Sequence, residues 1–155
     1  MVAINFTHIF MSGGFVGQHH INSTYLFDSK AGWIKMPDMN VNRDDHACAL
    51  VDNRTVMVVG GDGYRARSTT ELFDLEKRNW RFGPSLPMSS REAKMVTVDG
   101  QTYHIGGTKT DSLKIYRLDQ DGDTGWKWTE INTMLYKNKR EFDATFLWIN
   151  DDCTV

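Results

Sequence analysis

The chain of 155 residues lacks long hydrophobic runs and has only two cysteines and three prolines. No window approaches the ~18 uninterrupted apolar residues of a membrane span, and the first residues lack the cationic and apolar regions of a secretory signal. The formal net charge is −2 with both signs interspersed, which excludes a basic footprint for nucleic acid. Two thiols, Cys48 and Cys153, fit a reducing compartment. We therefore expect a cytoplasmic protein with neither membrane nor nucleic-acid partners.

The sequence does contain a repeat. Three Gly-Gly pairs recur, and their first residues are separated by 47 and then 46 positions. A tryptophan follows each pair after 19 residues. A constant period of this length is the mark of a repeat protein. The repeated positions, which we interpret as structural, are Gly13, Gly14, Trp33, Gly60, Gly61, Trp80, Gly106, Gly107 and Trp126.

Each period contains four strand-like segments and no helical periodicity. In the second period they read HACALVD, RTVMVVGG, STTELFD and WRFG. The second segment is almost continuously apolar, so it needs cover on both faces. All three prolines flank the fourth segment, where an edge strand tolerates a missing N–H. Radial stacking of four-stranded sheets, a β-propeller, meets these requirements. The glycine pairs then fall near the crowded centre, where backbones approach closely.

The order of Gly-Gly, an aromatic residue with Asp, and Trp, at a period of almost 50 residues, resembles the kelch repeat. The resemblance covers nearly the whole chain. The third period departs from the pattern, since it carries both Trp126 and Trp128, an enlarged turn DQDGDTG, and Tyr116-Arg117 in place of Phe-Asp. The resemblance implies an all-β, kelch-type propeller segment.

The repeat alignment predicts three four-stranded antiparallel blades and the start of a fourth, in a ring that is not closed. The predicted units are residues 1–38, 43–87, 91–134 and 140–155. Kelch propellers close with more blades than three, so we interpret the chain as a piece of a longer kelch protein or a truncated product. Open end blades expose apolar faces, which predicts self-association through them.

In kelch proteins, one face of the propeller commonly binds partners. That face carries the loops after the glycine pairs, residues 15–20, 62–67 and 108–110, and the loops that enter each first strand. Arginine suits such a surface because its planar guanidinium binds carboxylates with two hydrogen bonds. The predicted partner-binding residues are Arg43, Tyr64, Arg65, Arg67, Arg91, Lys109 and Arg140.

We expect no catalytic residue, metal or cofactor. Asp119, Asp121, Asp123 and Glu130 have the spacing of a calcium loop, but Thr124 stands where such a loop needs glycine. The neighbouring residues His19 and His20 are interpreted as part of a polar loop, because adjacent side chains on a strand diverge. His46 and Cys48 begin an inner strand and are interpreted as structural.

Two function classes stay open. The first is a protein-interaction module, either the substrate-recognition part of a cullin-type ubiquitin ligase adaptor or an actin-binding protein. The second is a fragment of a kelch-propeller enzyme of the oxidase or sugar epimerase class. The copper ligands and the reactive cysteine–tyrosine pair of the oxidases have no match in the sequence, and a fold alone does not specify chemistry. The sequence therefore favours a protein partner of unknown identity.

Overall fold

The computed structural model describes residues 1–107, 113–122 and 125–135. Within these ranges every regular element is a β-strand. The strands are β1 (Val2–Ala3), β2 (His8–Val16), β3 (His19–Asp28), β4 (Gly32–Met36), β5 (Ala47–Leu50), β6 (Thr55–Val59), β7 (Thr70–Asp74), β8 (Asn79–Phe82), β9 (Lys94–Val98), β10 (Gln101–Ile105), β11 (Leu113–Asp121) and β12 (Gly125–Leu135).

The strands form three separate four-stranded sheets, each antiparallel and each in chain order. We call β1–β4 blade 1, β5–β8 blade 2 and β9–β12 blade 3. This arrangement confirms the all-β prediction of an open propeller segment with three blades. The predicted start of a fourth blade, residues 140–155, lies outside the described residues, and the unit limits taken from the repeats stay a prediction. No helix within the described ranges has the length and apolar character needed to cross a membrane.

Blade 2 shows why these residues form strands. All five residues of β6 are buried, as its continuous apolar run requires. In blade 3 the alternation is visible instead, because Thr102 and His104 of β10 are buried while their neighbours are half-buried. Between β9 and β10, Asp99 and Gly100 both have positive φ, 50° and 73°. This is the conformation of a two-residue hairpin turn that favours Asp-Gly.

Two apolar clusters fill the gaps between neighbouring blades. Between blades 1 and 2, the rings of Phe10, Phe73 and Trp80 pack with centroids 5.0 to 5.9 Å apart over the buried Val56. The cluster between blades 2 and 3 is larger and is built mainly from aliphatic and methionine side chains. Each blade is therefore held by a face-to-face contact with its neighbour, as in a propeller.

The glycine pairs lie where the linkers between blades cross the ends of the second strands. Gly13 and Gly60 have φ of 61° and 69°, and a Cβ on either would overlap a linker carbonyl oxygen, that of Arg43 or Ser90 respectively. The next glycine of each pair donates its N–H to that same carbonyl over 2.8 Å. Both the left-handed backbone and the close approach require glycine at this position.

Blade 1 differs from the expected loop after its glycine pair. Strand β2 continues through Gly13 and Gly14 to Val16, with a register shift between Ser12 and Gly14. Phe15 pairs with His20, so the predicted loop 15–20 is the tip of a long hairpin. The left-handed glycines act here as a bulge inside the strand rather than as its end.

The outer tryptophans connect each blade to the one before it. The indole N–H of Trp80 donates to the Pro37 carbonyl over 2.8 Å, and that of Trp128 donates to the Pro84 carbonyl over 3.0 Å. The repeat spacing assigned this position in blade 3 to Trp126, and the structure gives it to Trp128. The longer β11–β12 hairpin of blade 3 is the cause, because it places Trp126 two residues nearer the turn.

Candidate functional site

The loops at the glycine end of the blades are joined by backbone hydrogen bonds. Asp44 and Asp62 exchange N–H···O=C bonds of 3.1 and 2.9 Å, which ties the linker after blade 1 to the loop after β6. Glu92 donates its N–H to the Asp45 carbonyl over 2.8 Å, which ties the two linkers to each other. The loops of this end therefore form one connected surface.

Asp62 is the residue around which the charged side chains of this surface are grouped. Its two carboxylate oxygens accept hydrogen bonds from different arginines, Arg67 and Arg91, each over 3.2 Å. Burial alone would raise the pKa of Asp62, but the hydrogen bonds from Arg67 and the Gly63 N–H and the charge of Arg91 bring it below its ordinary value. Two of the predicted arginines thus meet on a carboxylate that the sequence interpretation did not single out.

Asp45 has the opposite electrostatic environment. Desolvation, followed by the negative charges of Asp44 and Glu92, raises the pKa of its carboxyl group. Arg91 offsets only part of this, since Glu92 binds its guanidinium at 2.6 Å. Asp45 and Glu92 both have positive φ, 48° and 59°. Non-glycine residues rarely adopt this conformation without support from the surrounding structure.

Exposed aromatic and apolar side chains lie beside the charged centre. Tyr64 is 84% exposed, and the guanidinium of Arg65 lies 5.2 Å from the centre of its ring. At the tip of blade 1, Phe15 is 55% exposed and packs edge-on against His20, whose Nδ1 lies 2.9 Å from Asp44. We define the loop surface as Phe15, Val16, His20, Asp62, Tyr64, Arg65, Arg67 and Arg91.

Arg43 is not part of that surface, which corrects its prediction as an accessible partner-binding side chain. Both Arg43 and Glu71 are 0% exposed, and they form an ion pair at 2.9 Å. Arg43 also donates to the Gly60 carbonyl over 2.7 Å, while Glu71 accepts the N–H groups of Asn40 and Val41. Arg43 therefore holds the linker against blade 2 from inside.

Arg43 and Arg91 both enter a first strand, but they do not occupy the same position of the repeat. Arg43 and Ser90 are equivalent, since each carbonyl accepts the N–H of a second repeat glycine. Arg91 instead matches Asp44. Asp44 exchanges two backbone hydrogen bonds with Asp62, the residue after a glycine pair, and Arg91 donates its N–H to the carbonyl of Gly107, the last residue of a glycine pair. Counting 30 residues from Gly13 and Gly60 reaches Arg43 and Ser90, so the signal was present in the sequence.

Two serine–histidine pairs were also missed, of which Ser90–His104 is buried and Ser12–His46 is half-buried. The Ser12 hydroxyl lies 3.0 Å from Nε2 of His46, and the Ser90 hydroxyl lies 2.9 Å from Nε2 of His104. Burial lowers the pKa of His46 to about 3 and that of His104 to about 4. Both rings are therefore neutral at physiological pH. His104 is fully buried and His46 is half-buried beneath Gly13 and Gly61, and both act as structural hydrogen-bonding groups.

The remaining predicted sites are only partly described. Lys109, Arg140, Asp123 and Cys153 lie outside the described residues. Of the other carboxylates with calcium-loop spacing, Asp119 is paired with Arg117, Asp121 with Lys127 and Glu130 with Lys114. Over the part of the chain that the structure describes, no three His, Cys, Asp or Glu side chains are grouped to hold a metal ion.

Comparison with known proteins agrees with this architecture. The family model for the kelch motif matches residues 45–87. The chain is 26% identical over 135 residues to Kelch-like protein 15 of Danio rerio, which covers 82% of this chain and 22% of that protein. It is 27% identical over 106 residues to a Kelch repeat and BTB domain-containing protein of Caenorhabditis elegans, covering 61% of this chain and 17% of that protein.

A third relative has an enzyme's name. The chain is 25% identical over 123 residues to tRNA wybutosine-synthesizing protein 4 of Candida albicans, covering 69% of this chain and 18% of that protein. The chain thus spans about a fifth of the length of these relatives.

Three stacked antiparallel sheets joined by glycine-lined linkers define a β-propeller segment with a loop surface at one end. The motif match and the relatives indicate which type of propeller this segment resembles. Residues 45–87 match the kelch motif, and most of the chain is similar to proteins that carry kelch repeats.

Proposed function

We propose that the chain is a protein-interaction module that binds a protein partner through the loop surface. The observation that carries this proposal is the pairing of exposed aromatic side chains with a fixed arginine–carboxylate network. Aromatic residues and arginine dominate the binding energy of protein interfaces. Because Asp62 already holds Arg67 and Arg91, little side-chain entropy remains to be lost on binding.

The role we propose within this class is recognition of substrates for a cullin-type ubiquitin ligase, in the cytoplasm. The supporting finding is that one relative has both kelch repeats and a BTB domain in its name. The free thiol of Cys48 is in keeping with a reducing compartment. We infer binding rather than catalysis because both histidines paired with serines are neutral and His104 is fully buried.

The test compares partners recovered from cells. The full protein would be expressed in three forms, namely wild type, the loop-surface variant Tyr64→Ala/Arg65→Ala, and the matched control Phe82→Ala. Phe82 is 58% exposed but lies on the outer strand β8 and is not among the residues that define the loop surface. We expect affinity capture with mass spectrometry to lose a defined set of proteins only in the loop-surface variant. Identical protein sets for all three forms would contradict the proposed surface, and captures without a cullin would contradict the adaptor role.

A second proposal concerns self-association, and a specific row of residues favours it. In blade 2, Leu50, Val56, Phe73 and Trp80 are cross-strand neighbours, and blade 1 covers them. The equivalent row in blade 1 is Ala3, Ile9, Phe27 and Trp33. Trp33 is 54% exposed and Ile9 is 40% exposed. We infer that this face of blade 1 packs against a further blade, supplied in the isolated chain by a second copy.

Light scattering coupled to size exclusion tests this second proposal. We expect the wild-type chain to form species larger than a monomer as its concentration rises. The variant Trp33→Lys should shift them towards monomer, while Phe82→Lys on blade 2 should not. A wild-type chain that stays monomeric at every concentration would overturn it.

A further inference from the structure

Blade 3 carries two outer tryptophans, and only one of them makes the structural contact of the repeat. Trp128 donates its indole N–H to the Pro84 carbonyl, as Trp80 does to Pro37. Trp126 pairs with Gln120 at the hairpin end of β12 and, in the described part of the chain, its indole N–H has no hydrogen-bond acceptor. The fold therefore has no second use for Trp126 beyond its packing at the edge of the core.

Trp126 forms one wall of a groove between blades 2 and 3. The groove has a volume of about 400 Å³ and is floored by the buried Leu72. Arg81 and Lys77 of blade 2 line it opposite blade 3, and Gln120 lies next to Trp126. The groove lies at the hairpin end of the blades, since the β5–β6 and β7–β8 turns contribute to it. It is therefore separate from the loop surface.

The acidic groups of the groove are already engaged within the protein. Asp52 accepts the backbone N–H groups of Arg54 and Thr55. Asp74 accepts the N–H groups of Lys77 and Glu76, and these bonds, with Lys77 first, lower the pKa of its carboxyl group. Arg54 is paired with Asp74 and Glu76.

The guanidinium of Arg81 differs from these groups. In the described part of the chain it has neither an ion pair nor a side-chain hydrogen bond, and its side chain is exposed at the rim of the groove. An unpaired guanidinium beside carboxylates that are already satisfied gives the groove a positive binding point. Its planar fork binds a carboxylate with two hydrogen bonds.

We propose that this groove binds an extended peptide segment in which an acidic side chain stands next to an aromatic or aliphatic one. Arg81 holds the carboxylate, and the partly exposed ring of Trp126 contacts the apolar side chain. The amide of Gln120 is placed to bond the peptide backbone. A peptide fits better than a free inorganic anion, because an anion alone would leave the exposed part of the Trp126 ring uncovered.

Fluorescence anisotropy with a defined probe tests the proposal. The probe is a fluorescein-labelled octapeptide of alternating glutamate and phenylalanine, titrated with the whole chain at low and at high salt. We expect saturable binding that weakens with salt, because an ion pair contributes. Arg81→Gln and Trp126→Leu should each weaken binding about tenfold, which corresponds to one lost anchor contact.

Two controls separate this groove from the other surfaces. Arg65→Gln on the loop surface and Trp33→Leu on blade 1 remove the same residue types elsewhere and should leave the probe affinity unchanged. Thermal melts of all four variants identify any that fail to fold. Arg81→Gln replaces an exposed side chain, so we expect this groove variant to fold and to remain testable. The proposal is overturned if the probe does not bind, if both groove variants bind as wild type does, or if inorganic phosphate displaces the probe completely.

Discussion

The junction between blades 1 and 2 and the junction between blades 2 and 3 share one backbone and differ in side-chain chemistry. At both, a linker carbonyl accepts the N–H of the second glycine of a pair over 2.8 Å. At the first junction the linker residue is Arg43, which forms a buried ion pair with Glu71. At the second it is Ser90, whose hydroxyl contacts the neutral ring of His104.

The comparison shows which features of the repeat are the same at both junctions and which differ. Glycine and the linker carbonyl set the geometry, because only glycine allows the left-handed backbone and the close approach. The side chain at the linker position must then satisfy the buried polar groups around it, and either charged or neutral pairs can do so. The charged solution costs more desolvation, so it depends more strongly on both partners being present.

Removing Glu71 should cause the largest loss in the free energy of unfolding. Glu71→Ala leaves the Arg43 guanidinium buried without its counter-charge, and breaking a buried pair in this way costs about 3–5 kcal/mol. Urea unfolding measures the loss, with Arg54→Ala as the control, since that surface arginine should contribute less than about 1 kcal/mol. Equal losses for both variants would contradict the buried ion pair. The double variant Arg43→Met/Glu71→Leu should recover only part of the loss, because it removes the uncompensated charge but leaves the Val41 N–H and the Gly60 carbonyl without these side-chain partners.

Replacing an outer tryptophan should cause the next largest loss in the free energy of unfolding. Trp128→Ala removes a packed ring and its hydrogen bond to Pro84, and we expect a loss of about 3 kcal/mol in the free energy of unfolding. Trp80→Ala should cost a similar amount at the other junction. Trp126→Ala should cost clearly less, because Trp126 lacks the bond across the blades. If the thermal midpoint falls more for Trp126→Ala than for Trp128→Ala, the assignment of Trp128 to the repeat position is wrong.

Acid should weaken the second junction. Burial lowers the pKa of His104 to about 4, against about 6.5 in an unfolded chain. The unfolded state therefore binds more protons between these values, so the stability contributed by the neutral ring is complete above pH 6.5 and is lost as the pH falls towards 4. We expect a loss on the order of 2 kcal/mol between pH 7 and pH 5. Urea midpoints over this range should fall less steeply for His104→Gln, and parallel slopes for the two proteins would exclude His104 as the cause.

The smallest effect is expected for Arg91. Its ion pairs with Asp62 and Glu92 lie at the surface, so Arg91→Gln should change the free energy of unfolding by less than about 1 kcal/mol. The same variant should weaken capture of the protein partner, because Asp62 loses one of its two arginine partners. A large drop in the melting temperature would show instead that Arg91 is structural, as Arg43 is.

The sequence predicted the architecture because each blade is built from the same short sequence patterns. The glycine pairs, the continuous apolar strand and the Asp-Gly turn each specify a backbone conformation within a few residues. Three occurrences of the same order then gave the sheets and their strand order. The loop surface was predicted in part, since Arg67 and Arg91 meet on Asp62, whereas Asp62 itself had no distinguishing pattern.

Spacing alone failed at two positions of the repeat. Trp126 keeps the 19-residue distance from Gly107, but the longer hairpin of blade 3 moves the structural position to Trp128. Arg43 and Arg91 look alike in the sequence, yet they differ by one position relative to the glycine pairs. One residue decides whether a side chain points into the junction or out to solvent.

The sequence by itself determined the strands, their turns and the positions where only glycine fits, because these depend on backbone conformation and on the local alternation of apolar residues. The tertiary structure alone decided which polar side chains are buried. Glu71 lies on a strand 28 residues from Arg43, and His104 lies 14 residues from Ser90. Their partners are set by how one blade packs against the next, and burial then makes each of those hydrogen bonds necessary.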